Sequence, residues 1–271
     1  MTTGSEWRTS VGRSWADNYR LTDRSFAGLT ERLLARIAER DANRILDVGC
    51  GAGELSLAIA RQRVGAEVVG VDVSADLVAA AQERGALTGN ARFVEADAAS
   101  WSPDNFSAGL ITSRHGVMFF DDPPAAFANL HALGEPGSEL LFSCFRAPAD
   151  NPWAAEAAAL LGVAPAADPT APGPFAFADP DHVRRVLNAG GWRDVAFEEV
   201  NFAYVAGTGD DPVADALAFF RQIGPAARAL SQLEGEDRAR AEGWLREWLE
   251  EHRSGNMVAF SAAAWIVSAR H

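Results

Sequence analysis

Residues 45–56 read ILDVGCGAGELS, and no other stretch constrains the chain as tightly. Ile45, Leu46 and Val48 form an apolar run of strand character, Glu54 to Arg63 has the pattern of a helix, and glycines stand at alternate positions 49, 51 and 53 between them. Glycine has no Cβ, so such a turn can take positive φ and lets a ligand lie against the main chain. A strand, a bare turn and a helix N-terminus together form a small-ligand site at the carboxyl edge of a sheet. Three glycines in this setting favour a ligand over a merely tight turn. Cys50, inside the turn, reads as a small filler residue rather than a nucleophile.

The pattern repeats downstream. AEVVGVDVSADLVAAAQERG reads as a strand ending at Asp72, with Ser74 as N-cap of a helix that Gly85 stops. ARFVEADA is a third short strand, and residues 108–145 supply a fourth strand, a loop, a helix from about Pro124 and a fifth strand from about Ser138. Before the first strand, Leu29, Leu33, Leu34 and Ile37 predict a helix over Phe26–Arg40. Alternation of strand and helix from Arg44 to Phe145 implies an α/β, doubly wound parallel sheet with helices on both faces and right-handed crossovers.

Beyond Arg146 the texture changes to an Ala- and Pro-rich segment, a compact helix opened by Asp179 and Pro180, and the strand DVAFEEVNFAYVAG. Val213 to about His252 is helical with breaks near Gly224 and Gly235, and NMVAFSAAAWIVSAR is a terminal strand. No repeat or long linker divides the 271 residues, which predicts a single domain over 1–271. Within it, segments 147–165 and 213–252 are expected as helical cap insertions over the ligand edge, and 1–25 as an N-terminal lid segment.

Composition narrows the partners. With 37 acidic against 24 basic side chains the formal charge is −13, and no Lys/Arg stripe suited to tracking phosphates is present. Nucleic acid and anionic membrane are therefore not expected partners. Cys50 and Cys144 are the two cysteines, without CxxC or zinc spacing, so no metal site is expected. The opening residues MTTGSEWRTSVGRSW hold no apolar signal core, and no run approaches the about 18 apolar residues of a membrane span. A cytoplasmic protein with reduced thiols is the expectation; oligomeric state is silent.

Two ligands compete for the glycine turn. In the dinucleotide fingerprint a third glycine follows the pair and pyrophosphate sits on the helix N-terminus. Here Glu54 stands at the helix start, opposing a pyrophosphate, and Asp47 occupies a position where that fold wants an apolar residue. A ligand with an ammonium group, a ribose and an adenine but no phosphate fits better, and S-adenosylmethionine is such a ligand. Asp72, ending the second strand, can take both ribose hydroxyls, and Asp97 can accept from the adenine amino group with Ala98 leaving room for the ring.

At these motifs the chain resembles the class I S-adenosylmethionine-dependent methyltransferases. ILDVGCGAGELS, VVGVDVS, FVEADA and ITSRHGVMFFDDP look like their ordered motifs, and the likeness is strongest to bacterial small-molecule enzymes of the ubiquinone/menaquinone-biosynthesis type. Trp7, Trp15, the NPW at 151–153, APGPFAFADPDHVRRVL and AAAWIVSAR extend it over nearly the whole chain. The resemblance implies a Rossmann-like, mostly parallel seven-stranded sheet of order 3-2-1-4-5-7-6 with the seventh strand antiparallel. It also implies that Asp47, Gly49, Gly51 and Ala52 line the methionine end of the donor, that Asp72 and Val73 meet ribose and adenine, that Asp97 and Ala98 hold the adenine, and that Ser113 and Arg114 border the sulfonium. GEPGSEL departs from the basic residue and PGG usual in the family, and His115 stands where relatives commonly have Phe.

Methyl transfer is an in-line displacement that alignment alone can drive, and a base is needed only where the acceptor must lose a proton. His115 is the candidate for that base; the alternative is that it fills the volume of the relatives' Phe. His131, His182, His252 and His271 read as solvated or helix-end residues. Trp7, Trp15 and Tyr19 either close over the donor as a lid or pack on the sheet, and Trp153, Phe175 and Phe177 either line an apolar substrate pocket or belong to the core. Met118, Phe119 and Phe120 read as core. The leading expectation is a methyltransferase for a small, partly apolar, hydroxyl-bearing acceptor, with N-, C- or S-transfer open. A donor-binding protein without methyl transfer is the alternative, and an NAD-dependent oxidoreductase is disfavoured by Asp47 and Glu54.

Overall fold

The expected strand–helix alternation is present in the computed structural model, which describes residues 4–271. Helices α1 (Gly4–Trp7), α2 (Ser10–Asp17) and α3 (Tyr19–Ala38) lead into β1 (Arg44–Val48), α4 (Glu54–Gln62), β2 (Glu67–Asp72), α5 (Ala75–Arg84), β3 (Ala91–Glu95) and β4 (Ala108–Arg114). A short 3-10 turn (Gly116–Phe119) precedes α6 (Pro123–Leu133), β5 (Gly134–Phe145), α7 (Pro152–Leu160), α8 (Pro180–Ala189) and β6 (Arg193–Thr208). Helices α9 (Pro212–Gln222), α10 (Gly224–Leu230) and α11 (Gly235–Glu251), the two-residue β7 (Arg253–Ser254) and β8 (Met257–Arg270) complete the chain.

The strands follow the order β3-β2-β1-β4-β5-β8-β6, with β7 paired to β8 off that path. With β7 set aside, β8 is the seventh long strand and the order is the expected one. Strands β3, β2, β1, β4 and β5 are parallel, and β8 runs antiparallel to both β5 and β6. The central strands read as near-continuous apolar runs because helices cover both their faces. Ile45, Leu46, Val68, Val69, Leu110 and Ile111 are fully buried there.

Two element boundaries differ from the sequence expectation for physical reasons. Helix α3 begins at Tyr19 rather than Phe26. Its first turns bury Thr22 and Ser25, whose hydroxyls donate to the Tyr19 and Leu21 carbonyls, so the buried face is polar there and escapes an apolar count. Strand β5 begins at Gly134 rather than Ser138, because an irregular register lets Ala108 pair with Gly134 before regular pairing starts at Leu110 and Glu139.

Strands β6 and β8 are much longer than the rest. Their pairing continues from Arg193–Arg270 to Thr208–Met257, whereas β5 accompanies β8 only as far as Phe145–Ala264. Past that point the two strands project beyond the carboxyl edge of the sheet as a ribbon, and Tyr204 lies on it. Asn151 replaces β5 where β5 ends. Its side-chain carbonyl accepts from the Ala263 N–H at 3.0 Å and from the Trp153 indole N–H at 3.3 Å, and its amide donates to the Ala263 carbonyl at 3.1 Å. The side chain is fully buried, so these bonds have no solvent substitute.

Asn151→Ala orphans two buried donors and is expected to cost about 2–5 kcal/mol of unfolding free energy, against roughly 0.5 kcal/mol or less for Asn188→Ala on the exposed face of α8. Urea unfolding of the two variants compares them directly, and similar midpoints would show that Asn151 does not hold the ribbon.

Candidate functional site

The carboxyl ends of β1, β2 and β4 converge on one cavity. Gly49, directly after β1, has φ +65°, and a Cβ there would stand 2.8 Å from the Cα of Gly116. The turns after β1 and β4 therefore touch backbone to backbone, which only glycine permits. Gly51, with φ +54°, differs: a Cβ there would meet nothing within 4 Å, so its main chain is bared to open space. Asp72 fixes this turn to β2. One carboxylate oxygen accepts from the Gly51 N–H and the other from the Ser74 N–H, both at 2.9 Å.

The cavity occupies about 370 Å³, within the range of small-molecule sites. Of the residues expected from the sequence, Asp47, Gly49, Gly51, Ala52, Asp72, Val73, Asp97, Ala98, Arg114 and His115 all line it. Ser113 does not. Its fully buried hydroxyl donates to the Val48 carbonyl at 2.6 Å and accepts from the Gly116 N–H at 3.0 Å, joining β4 to β1 behind the cavity wall. Trp7, Trp15, Tyr19 and Trp153 are also in the lining, whereas Phe175 and Phe177 stand outside it, Phe177 fully buried in the core. Met118, Phe119 and Phe120, read from the sequence as core, reach the cavity.

Several lining residues carried no sequence signal. Phe26, Tyr204 and the pair Ile223 and Pro225 come from three separate segments, and Phe145 ends β5. The Phe26, Tyr204 and Ile223 positions have ordinary core character in the sequence. They become a wall because the β6–β8 ribbon overhangs the sheet edge with α3 and α9 packed on β6.

Segment 1–25 bears on both sides of the cavity, apart from residues 1–3, which lie outside the described residues. Arg8 pairs with Asp97 at 3.2 Å and Arg13 with Asp76 at 3.5 Å on the β2–β3 side. The Ser14 hydroxyl donates to the Gln222 carbonyl at 2.9 Å on the opposite side.

Burial dominates the electrostatics. It pushes the Asp47 carboxyl up to about 7, against the hydrogen bond that the Ser56 hydroxyl donates to it. Burial also raises Asp72, opposed by its backbone hydrogen bonds. It raises Glu54 too, with Arg114 pulling the other way and a hydrogen-bonded Asp23 adding to the rise. Arg114 donates to Glu54 and to the Thr30 hydroxyl. The Cys50 thiol is pushed well above its usual range by burial and by Asp72, which leaves it a poor nucleophile. Among the described residues no group of His, Cys, Asp and Glu has the arrangement of a metal site.

His115 has the most unusual surroundings. Its backbone is left-handed at φ +65°, a region where His is enriched over most side chains. The ring stacks on Phe145 at 4.1 Å and meets the edge of Phe26 at 5.2 Å, and neither ring nitrogen has a hydrogen-bond partner. Burial, with Arg114 adding, lowers its pKa to about 3. The folded chain therefore excludes a proton that the unfolded chain takes up near 6.5, so the stability linked to this ring is present above pH 6.5 and is lost as the pH falls toward 3. Relative to His115→Phe, the wild-type unfolding free energy should fall by about 1.4 kcal/mol per pH unit below about pH 6. Urea unfolding between pH 5 and 8 reads this as a diverging pair of curves; parallel curves would mean that the ring protonates in place.

Comparison with known proteins places this architecture. Residues 19–206, more than half of the chain, match the family model described as a methyltransferase domain. The trans-aconitate 2-methyltransferase of Variovorax paradoxus is 34% identical over 110 residues, covering 41% of each chain. The demethylmenaquinone methyltransferase of Thermus thermophilus is 32% identical over 111 residues, covering 41% of this chain and 50% of that one. The alignments thus span from two fifths to half of these relatives' length. In fold, the YcgJ protein of Bacillus subtilis superposes with a TM-score of 0.54 at 18% identity, covering 89% of this chain and 97% of that one. The chain belongs to the methyltransferase-domain family, in the class I S-adenosylmethionine-dependent group that its motifs resemble.

Proposed function

We propose that the protein transfers a methyl group from S-adenosylmethionine to a hydroxyl of a small, partly apolar acceptor. The observation that carries this reading is the pairing of a bare Gly51 with a buried Asp72 in the cavity wall. A carboxylate has roughly four acceptor positions, and two on Asp72 are taken by backbone N–H groups, which leaves it able to receive both hydroxyls of a ribose. In the same reading, Val73, Asp97 and Ala98 hold the adenine, and Asp47, Gly49, Gly51 and Ala52 the methionine end. Arg114 borders the sulfonium and Ser113 supports that border from behind. When bound, the donor supplies a methyl group already activated by a positively charged sulfur.

The chain's own part is to align and to exclude water. Segments 147–165 and 213–252 act as the cap, contributing Trp153, Ile223 and Pro225 to the cavity, and segment 1–25 acts as a lid through Trp7 and Trp15. His115 is assigned to the acceptor's reacting hydroxyl. Its ring is neutral at pH 7 and so free to accept a hydrogen bond, but a pKa near 3 makes it a weak store for a whole proton. Proximity therefore carries most of the rate. The named activities of the relatives, on trans-aconitate and demethylmenaquinone, differ in acceptor, and they support methyl transfer more strongly than the choice of oxygen. No described helix is long and apolar enough to cross a membrane, and an acidic, phosphate-averse surface favours a small-molecule acceptor over nucleic acid. A cytoplasmic setting fits these features.

Incubation with S-adenosylmethionine and a panel of hydroxylated acceptors tests the reading, since the enzyme releases S-adenosylhomocysteine with a methylated product. A protein that only binds the donor releases none. Asp72→Ala should weaken donor binding by about 1–3 kcal/mol in calorimetry, and unchanged affinity in a folded variant would remove Asp72 from the site. With a turned-over acceptor, His115→Phe should keep kcat within about tenfold of wild type. A loss near 10²-fold at preserved donor affinity would instead establish His115 as a general base.

A further inference from the structure

The charged residues along the cavity are distributed in a way that selects among acceptors. Arg8 and Arg114 are the cations among the described lining residues. Arg8 is engaged by Asp97. Arg114 is engaged by Glu54, from the first turn of α4, and by the Thr30 hydroxyl at 2.7 Å, while its guanidinium lies 5.0 Å from the centre of the Phe26 ring. Asp23, beside Glu54, is in turn paired with Arg84 at 2.7 Å, so each carboxylate of this cluster has its own guanidinium.

The aromatic end of the cavity, which begins at that Phe26 ring, is built differently. Phe26, Phe145, Trp153, Tyr204 and Ile223 line it, with Trp153 stacked on Tyr204 at 4.3 Å and nearly parallel. None of these side chains carries a charge. A carboxylate or phosphate entering this end leaves water without gaining a counter-ion, at a cost that an uncharged molecule of the same shape avoids.

We propose that Glu54 sets the acceptor's charge class: by pairing with Arg114 it leaves the aromatic end of the cavity without a free cation, so the enzyme takes an uncharged, largely aromatic or alicyclic acceptor and refuses one that bears a carboxylate or phosphate. This deepens the methyl-transfer reading and rests on it. Glu54 acts through Arg114 and is a positioning residue, and its signature is a change in selectivity rather than a general loss of binding. A Gln at position 54 keeps a hydrogen-bond acceptor for the guanidinium but removes the charge that cancels it.

The test is calorimetric titration of the full chain, with S-adenosylhomocysteine present, using 2-naphthol and 2-naphthoate at pH 7.5. At that pH the first is neutral and the second an anion of nearly the same shape. The wild type should bind 2-naphthoate at least about tenfold more weakly than 2-naphthol. Glu54→Gln should recover about tenfold for the naphthoate while the naphthol changes less than about threefold, and adding Arg114→Met to it should abolish that recovery. Equal affinities in the wild type overturn the proposal without any variant. So does an unchanged ratio in Glu54→Gln, or failure of both probes to bind at millimolar concentration. Should Glu54→Gln not fold, Arg114→Met alone should turn the ratio further against naphthoate, and a ratio shifted toward naphthoate counts against the proposal. Titration with S-adenosylhomocysteine alone keeps the two readings apart: its failure to bind the wild type removes the donor assignment, whatever the naphthol ratio.

Discussion

Everything at the site depends on Asp72 holding two backbone amides from opposite sides. One belongs to the turn after β1 and the other to the start of α5, so a single carboxylate at the end of β2 binds three segments together. Charge-assisted bonds to backbone N–H groups are among the stronger ones available to a folded chain, and here they are buried. They also explain why an acidic side chain is tolerated at a strand end with so little access to water. Burial raises its pKa, the amides oppose that rise, and acceptor capacity remains for a bound ligand.

The same turn shows why the glycines are not interchangeable. Gly49 is constrained by protein, since the chain after β4 passes too close for a Cβ. Gly51 is constrained by its left-handed backbone, at φ +54°, although nothing in the protein would obstruct a side chain there. The first glycine thus serves the fold of the turn, while the second leaves its main chain open in the lining of the cavity. The Ser113 hydroxyl belongs to the folding side, because both its bonds go to neighbouring backbone.

Legibility in the sequence followed the range of the interactions involved. The strand–helix alternation, the glycine turn and the acidic strand ends were readable because strand period, turn chemistry and helix caps are local: Ser74 accepts from the Leu77 N–H as an N-cap, and Asp122 and Asp211 do the same for α6 and α9. The strand order, a matter of distant pairings, came only with the family resemblance. The early start of α3 was not readable, since Thr22 and Ser25 are buried with their hydroxyls turned back on the helix. Nor was the aromatic wall. Phe26, Phe145 and Tyr204 are separated by long stretches of chain and meet only because two strands outrun their neighbours. The inward reach of Phe119 and Phe120 has the same origin, because an apolar residue beside a cavity and one inside a core have the same sequence signature.

In the proposed reading, this division of range separates donor chemistry from acceptor chemistry along the chain. The groups assigned to the donor sit at the carboxyl ends of β1, β2, β3 and β4 and on the turns that follow, where backbone hydrogen bonds fix positions closely and few side chains could be exchanged without disturbing the sheet. The opposite wall is made of side chains alone, carried on the β6–β8 ribbon, α7 and the α9–α10 junction, and held at its root by Asn151. Substitutions of Trp153, Tyr204 or Ile223 alter shape and volume without touching a backbone bond of the glycine turn. Volume changes in such a packed aromatic set are absorbed locally, at a cost set by cavity or overlap, to which Trp153 adds the indole bond it donates to Asn151. Glu54 and Arg114 stand at the boundary between the two regions, with Glu54 on the helix that the glycine turn opens and Arg114 over the Phe26 ring that begins the aromatic wall. A charge pair at that boundary can cancel in place without either partner leaving the cavity lining, so the glycine-turn side keeps its carboxylates while the aromatic wall of Phe26, Phe145, Trp153, Tyr204 and Ile223 carries no charge.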